Sequence, residues 1–186
     1  MNRFKVNIAV VGGRGVGRTS LVNRYIKGEF DNKEYNPIDE SINIMYRTIQ
    51  IEGHVVELQV CDILYDNNFK PKSKDFDIAF VIHDDSHKEI TDKIFEMIES
   101  LDTPSQSNRY LVITKTDLEE SFHKQKAQNV DRFKLQYRFA KVCFVSSLTG
   151  DGVDELFISA VAKSLKSKEP EQCFSDKKQK NKCVVM

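Results

Sequence analysis

The sequence predicts an α/β fold, a mostly parallel six-stranded sheet with helices on both faces. Three observations predict it. Short apolar, β-branched runs alternate along the chain with longer segments of helical period. One turn, Glu52-Gly53, joins two neighbouring strands into a hairpin, which puts one antiparallel strand at a sheet edge. A glycine-rich turn at residues 12–17 leads from the first strand straight into the first helix.

Residues 5–11 read as a strand, carried by Val6, Ile8, Val10 and Val11. After the glycine turn, residues 19–27 read as a helix with Leu21, Val22, Tyr25 and Ile26 at helical spacing. Residues 29–40 are polar, contain Pro37 and read as a loop. Residues 42–51 and 54–61 form the hairpin, and 62–75 read as irregular chain with Asp66-Asn67-Asn68 and Pro71. A short buried strand is expected at 78–82. Residues 84–101 then have helical period through Ile90, Ile94, Met97, Ile98 and Leu101. A second buried strand follows at 110–113. Residues 124–139 read as a polar helix with Val130, Phe133, Tyr137 and Ala140 on one face. The last strand is expected at 142–145 and the last helix at 152–165. Sheets of this kind bind ligands at the carboxyl ends of their strands, and the candidate motifs all fall there.

The chain has 186 residues, enough for one domain with a real core. Lys+Arg is 28 and Asp+Glu is 28, so the balance of charge gives no whole-chain reason to expect nucleic acid as a partner. No apolar run approaches the length of a membrane span, and the start lacks a signal-peptide pattern. Cys61, Cys143, Cys173 and Cys183 have no C-x-x-C spacing, so neither zinc nor a disulfide framework is expected. A reducing, cytosolic setting is the simplest expectation.

The turn reads VVGGRGVGRTS at residues 10–20. It nearly matches the phosphate-binding pattern G-x-x-x-x-G-K-[ST], with Gly12, Gly17 and Thr19 in place. Position 18 is Arg18 where the pattern has lysine, and Arg14 stands inside the loop. Glycines let backbone N–H groups converge on an anion, and the helix N-terminus adds its dipole. Arginine keeps the positive charge and can bond a phosphate in a fork, but it is longer and planar where lysine is a compact point charge. Weakened binding and lost binding both follow from that difference.

LVITKTD, residues 111–117, ends in Thr114-Lys115-Thr116-Asp117. With the glycine loop, this resembles the Ras-like small GTPases, whose guanine-reading motif is N-K-x-D with T-K-x-D as a variant. The resemblance implies a P-loop NTPase-type G domain over residues 1–166 and a tail over 167–186. It also implies GTP or GDP as ligand, with Mg2+. The phosphates would lie against Gly15, Val16, Gly17, Arg18, Thr19 and Ser20. The base would lie against Phe30, Thr114, Lys115, Asp117 and the loop Ser146-Ser147-Leu148. Thr19 and Asp62 would serve the metal. A carboxylate at Asp117 can accept from the guanine N1–H and amino group, a pair that adenine does not offer. The Lys115 stem can cover the base face. The spacing from Asp117 to Ser146 leaves no room for the extra helix of Rho proteins, so the likeness is closer to Ras.

Four positions depart from the family pattern for hydrolysis, which needs an ordered water, a metal clamp and two switch segments. After Tyr35-Asn36-Pro37, Ile38 stands where a threonine would bind magnesium and sense the γ-phosphate. Tyr65 replaces the glycine whose amide meets that phosphate, and Asp66 replaces the glutamine that orients water. Arg14 fills a position that is often glycine. No catalytic residue is therefore assigned, and impaired or absent hydrolysis is expected. The alternative is a nucleotide-free pseudo-GTPase scaffold whose arginines occupy the phosphate cradle themselves. Nucleoside kinases would need an acceptor site and lid arginines, which the sequence does not offer.

From Lys166 the periodicity stops, and the remainder reads as a flexible, lysine-rich tail. Cys183-Val184-Val185-Met186 fits a prenylation signal, with the final methionine favouring farnesyl. Lys177, Lys178, Lys180 and Lys182 lie just upstream and supply the second signal that a single lipid chain needs. The expected location is the cytoplasmic face of a membrane, the plasma membrane.

Overall fold

β1 (Arg3–Gly12) lies inside the sheet because both of its faces are apolar. Val6, Ile8 and Val10 point to one buried face, while Ala9 and Val11 point to the other. The computed structural model describes residues 2–30, 42–65, 76–84, 108–118 and 137–168. The other strands are β2 (Ile42–Ile51), β3 (His54–Leu64), β4 (Ile78–Asp84), β5 (Arg109–Thr114) and β6 (Lys141–Phe144). They form a six-stranded sheet in the order β2-β3-β1-β4-β5-β6. Only the β2–β3 pair is antiparallel, as the Glu52-Gly53 turn requires. The predicted six-stranded, mostly parallel α/β fold is thus the fold observed.

Two helices are described, α1 (Arg18–Lys27) and α2 (Val153–Leu165). Both pack on the face of the sheet that carries Val6, Ile8 and Val10. Leu21, Val22 and Tyr25 of α1 meet Leu156, Phe157 and Ala160 of α2 in one buried cluster. The Tyr25 and Phe157 rings stack with centroids 3.7 Å apart. α1 ends at Gly28, whose positive φ of 73° suits glycine and whose N–H bonds to the Arg24 carbonyl at 3.1 Å.

Two boundary differences bear on the site. β3 runs to Leu64, so residues 62–64 are strand rather than irregular chain. The reason is register: β1 continues to Gly12 and pairs Val10↔Asp62, Val11↔Ile63 and Gly12↔Leu64. β4 runs to Asp84, opposite Thr114, so that residue closes a strand rather than opening a helix. Of the helices expected at 84–101 and 124–139, residues 85–101 and 124–136 lie outside the described residues, as do the segment 31–41 and the chain from 169, and residues 138–139 are not helical. Among the described residues no helix is long and apolar enough to cross a membrane.

Because β1, β3, β4, β5 and β6 run parallel, their carboxyl ends share one edge. Gly12, Asp62, Asp84 and Thr114 reach that edge on four neighbouring strands.

Candidate functional site: a two-part cleft at the carboxyl edge

The glycine turn is shaped by close approach and by left-handed backbone. A Cβ on Gly12 would lie 2.8 Å from Val16 Cγ2 and 3.2 Å from the Ile82 carbonyl oxygen. Gly15 and Gly17 have φ of 75° and 84°, a region that strains any L side chain. Gly17 is also the N-cap of α1, which carries no side-chain cap and no acidic residue in its first turn. α2 differs, with Asp154 and Glu155 in its first turn. The first amides of α1 are thus left with the donors and the dipole that favour an outside anion.

Arg18 is the first residue of α1, and helical side chains lean back toward the N-terminus. Its guanidinium accordingly folds over the turn. Nη1 donates to the Gly12 carbonyl at 2.7 Å and to the Gly13 carbonyl at 3.3 Å. Nε donates to Oδ1 of Asp62 in an ion pair. The other Asp62 oxygen accepts from the Thr19 hydroxyl at 2.7 Å. Asp62 is buried, so these two partners supply the compensation that a buried carboxylate requires. Tyr65 donates its backbone N–H to the same Gly12 carbonyl at 3.0 Å. Arg14 is exposed. Arg18, not Arg14, fills the turn.

The half of the cleft expected to hold the base is built differently. Thr114, fully buried at the end of β5, donates its hydroxyl to the Val16 carbonyl at 2.6 Å and lies 3.2 Å from the His83 carbonyl. It ties the phosphate turn to the strand edge. Lys115 takes a left-handed φ of 58° and places Nζ 2.5 Å from Oδ2 of buried Asp84. Ser146 donates its hydroxyl to Oδ1 of Asp117 at 2.5 Å and accepts the Thr149 N–H at 3.1 Å. A carboxylate has about four lone-pair sites, so the Ser146 bond leaves acceptor capacity for a ligand. A cavity of about 300 Å³ opens here, lined by Gly17, Ser20, Phe30, Thr114, Lys115, Asp117, Leu118, Ser147 and Leu148.

Eight residues of that lining are among those named from sequence, and Leu118 is an addition. Gly15, Val16, Arg18, Thr19 and Asp62 gather in the adjoining turn, and Ser146 sits behind Asp117. Asp84 escaped the sequence reading. Its one signal was a carboxylate at the end of an otherwise apolar run, opposite Thr114. Leu118 had no signal beyond following Asp117. Ile38, Asp66, Cys173, Cys183 and the tail lysines lie outside the described residues. Cys61 and Cys143 are buried free thiols, and burial pushes both upward, so they serve the core.

Magnesium would have to share Asp62 with the Arg18 guanidinium in this arrangement. Its two sequence-derived ligands, Thr19 and Asp62, are bonded to each other, and Arg18 takes the remaining carboxylate oxygen. No cluster of three or more His, Cys, Asp or Glu side chains suited to a metal occurs among the described residues. A guanine nucleotide fits better, since the cavity presents Asp117 and Lys115 beside an uncapped helix N-terminus.

A family model described as Ras family matches residues 7–166. Ras-related protein Rab-12 of Homo sapiens is 23% identical over 168 residues, covering 88% of this chain and 68% of that protein. Its counterpart in Mus musculus has the same identity and coverage. Ras-related protein Rab-9B of Homo sapiens is 31% identical over 65 residues, covering 35% of this chain and 31% of its own.

Proposed function

The chain belongs to the Ras family of small GTPases, and on that premise we propose that it is a membrane-attached guanine-nucleotide-binding signalling protein with slow or absent GTP hydrolysis. A G domain over residues 1–166 would carry the binding surface, and the tail over 167–186 would carry the anchor. The observation that supports impaired hydrolysis is the Arg18 guanidinium, held at once on the Gly12 carbonyl and the Asp62 carboxylate. It draws the turn, α1 and β3 together where the family clamps the metal and the γ-phosphate. The Tyr65 N–H, in the position of the γ-phosphate amide, is bonded to Gly12 instead. Ile38 and Asp66 remove a metal oxygen and a water-orienting amide from the same half of the site.

Single-turnover phosphate release from GTP-loaded protein tests this. The expected rate lies below about 10⁻⁴ per second, under the usual intrinsic rate of such proteins. A faster release would return the chain to the ordinary switches.

Lipid attachment at Cys183, reinforced by Lys177, Lys178, Lys180 and Lys182, would hold the protein on the anionic cytoplasmic face of a membrane, with the plasma membrane as the expected one. Intact mass should show a prenyl adduct that Cys183→Ser abolishes, and the variant should leave the membrane fraction.

The same Arg18 contacts favour one second reading, a nucleotide-free scaffold on this fold. Denaturing the purified protein and chromatographing what it releases separates the two. A guanine nucleotide near one per chain supports the first reading, and none, with no binding on addition of GDP, supports the second.

A further inference from the structure

We infer that Arg18 takes the place of the metal, so that guanosine diphosphate binds this chain independently of magnesium. The inference rests on the guanine-nucleotide reading and deepens it. Three features carry it.

The first is the supply of oxygen ligands. Thr19 Oγ1 and the Asp62 carboxylate are the metal oxygens beside the turn, and both are already engaged, so a metal would have to share them with Arg18. Oδ2 of Asp62 accepts from Thr19 at 2.7 Å, and Oδ1 is paired with Arg18. Asp84, the next carboxylate along the strand edge, is held by Lys115 at 2.5 Å.

The second is charge. The Arg18–Asp62 pair is already neutral and mostly buried, with side chains 12% and 4% exposed. A divalent cation reaching Asp62 would meet a fixed guanidinium on the same carboxylate. Repulsion between like charges is strongest where water is excluded. Arg18 cannot swing aside freely, because its Nη1 holds the Gly12 and Gly13 carbonyls at 2.7 and 3.3 Å.

The third is what the guanidinium keeps in reserve. An arginine has five N–H donors in a fixed fork. Among the described residues, the hydrogen bonds of Arg18 use Nε and Nη1 and none uses Nη2. Nη2 therefore keeps two charge-bearing donors beside the uncapped start of α1. Phosphate oxygens are met well by such donors together with helix amides. The cation that a diphosphate needs is thus built into the chain.

The test is a fluorescence titration of the full-length protein with methylanthraniloyl-GDP, in magnesium chloride and in EDTA. The two dissociation constants should agree within about twofold, a negligible difference in binding free energy. In parallel, manganese added with GDP should give no protein-bound signal in electron paramagnetic resonance. Affinity that falls about tenfold or more in EDTA, or a bound manganese signal, overturns the inference while leaving nucleotide binding intact. No binding in either buffer overturns the nucleotide reading, and this inference with it. Arg18→Lys should acquire a magnesium dependence of about tenfold, because an ammonium cannot span two carbonyls and a carboxylate in the same fork. A ratio that stays near one in a folded Arg18→Lys protein would show that Arg18 is not what excludes the metal. Should that variant fail to fold, Arg18→Gln, neutral and still able to bond the turn, makes the same comparison.

Discussion

Two ion pairs stand at the carboxyl edge of this sheet, and they leave different things for a ligand. Arg18–Asp62 is closed, with side chains 12% and 4% exposed. Lys115–Asp84 is open on one side, with Asp84 at 1% but Lys115 at 37%, and that lysine lines the cavity beside Asp117. In both, a buried carboxylate at the end of a strand recruits a cation. The difference is the cation. Lysine offers one charged point at the end of a flexible stem, so the stem can still serve as a wall. Arginine offers a fork that binds two carbonyls and a carboxylate together through Nε and Nη1, so most of the side chain is spent on the protein itself while Nη2 is not. An arginine in this turn thus fills part of it with its own side chain and, among the described residues, leaves one nitrogen unbonded.

The sharpest way to break this comparison is to remove each cation. Arg18→Ala leaves Asp62 buried with Thr19 as its remaining partner, and should cost about 3 kcal/mol. In a chain of this size that is a melting temperature lower by roughly 6–12 °C. Lys115→Ala should cost less, about 1–2 kcal/mol, because its partly solvated ammonium is the more screened of the two cations, although Asp84 is left buried. Thermal denaturation of the two variants side by side reads the difference. Equal losses would mean that the two pairs are equally closed.

Asp117→Ala tests the open half by binding. Each hydrogen bond to a charged group is worth about 1.5–3 kcal/mol, so GDP affinity should fall roughly a hundredfold or more. Inosine diphosphate lacks the amino group that Asp117 would accept from. The unmodified protein should prefer GDP over it by about tenfold, and Asp117→Ala should show no preference. A preference that survives in the variant would place base recognition elsewhere in the cavity.

These two halves were not equally legible in the sequence. The fold was, because both buried faces of β1 and the apolar β4 and β5 are written as runs of Val, Ile, Leu and Phe. The residues that line the cavity were legible because short motifs mark them. Thr114, Lys115 and Asp117 sit within four positions, and the topology alone brings Ser146 and Ser147 to them. The Arg18–Asp62 pair was not legible as a pair. The sequence made Arg18 a phosphate ligand and Asp62 a metal ligand, and their juxtaposition depends on the β1–β3 register. The end of β3 was hidden for the same reason: Asp62 looks like a strand breaker until its two bonded partners are known.

Thr114 joins the halves, and its removal should be felt in both. Its hydroxyl donates to the Val16 carbonyl in the turn at 2.6 Å from a fully buried position. Thr114→Val keeps the branched shape that suits a strand but strips the donor, leaving that carbonyl short of a partner. The expected cost is about 1–2 kcal/mol, or roughly 2–8 °C in melting temperature. Amide exchange of Gly17 and Leu21, which report on the turn and the first bond of α1, should also quicken. If stability falls but exchange at the turn is unchanged, Thr114 supports the strand edge alone.

The smallest effect is expected behind the site, at Tyr25. Its ring stacks on Phe157 and lies 4.4 Å from the Arg47 guanidinium carbon, while its hydroxyl is buried and has no hydrogen-bond partner among the described residues. Burial pushes its pKa up to about 12, partly opposed by Arg47 and assisted by Asp154. Tyr25→Phe keeps both ring contacts and removes an unsatisfied oxygen, so at neutral pH stability should change by no more than about 0.5 kcal/mol, or rise. The alkaline range separates the two proteins. A phenol whose folded pKa is raised contributes stability that is whole below its unfolded value of about 10 and fades as the pH climbs toward the folded value. Near pH 11 the unmodified protein should therefore have lost about 1 kcal/mol that Tyr25→Phe retains. Urea denaturation at neutral pH and near pH 11 measures this directly. Curves that shift in parallel for both proteins would mean that Tyr25 ionises in the fold as readily as in the unfolded chain. The core joining α1 to α2 would then be more hydrated than its stacked rings imply, and a less rigid support for the turn that Arg18 closes.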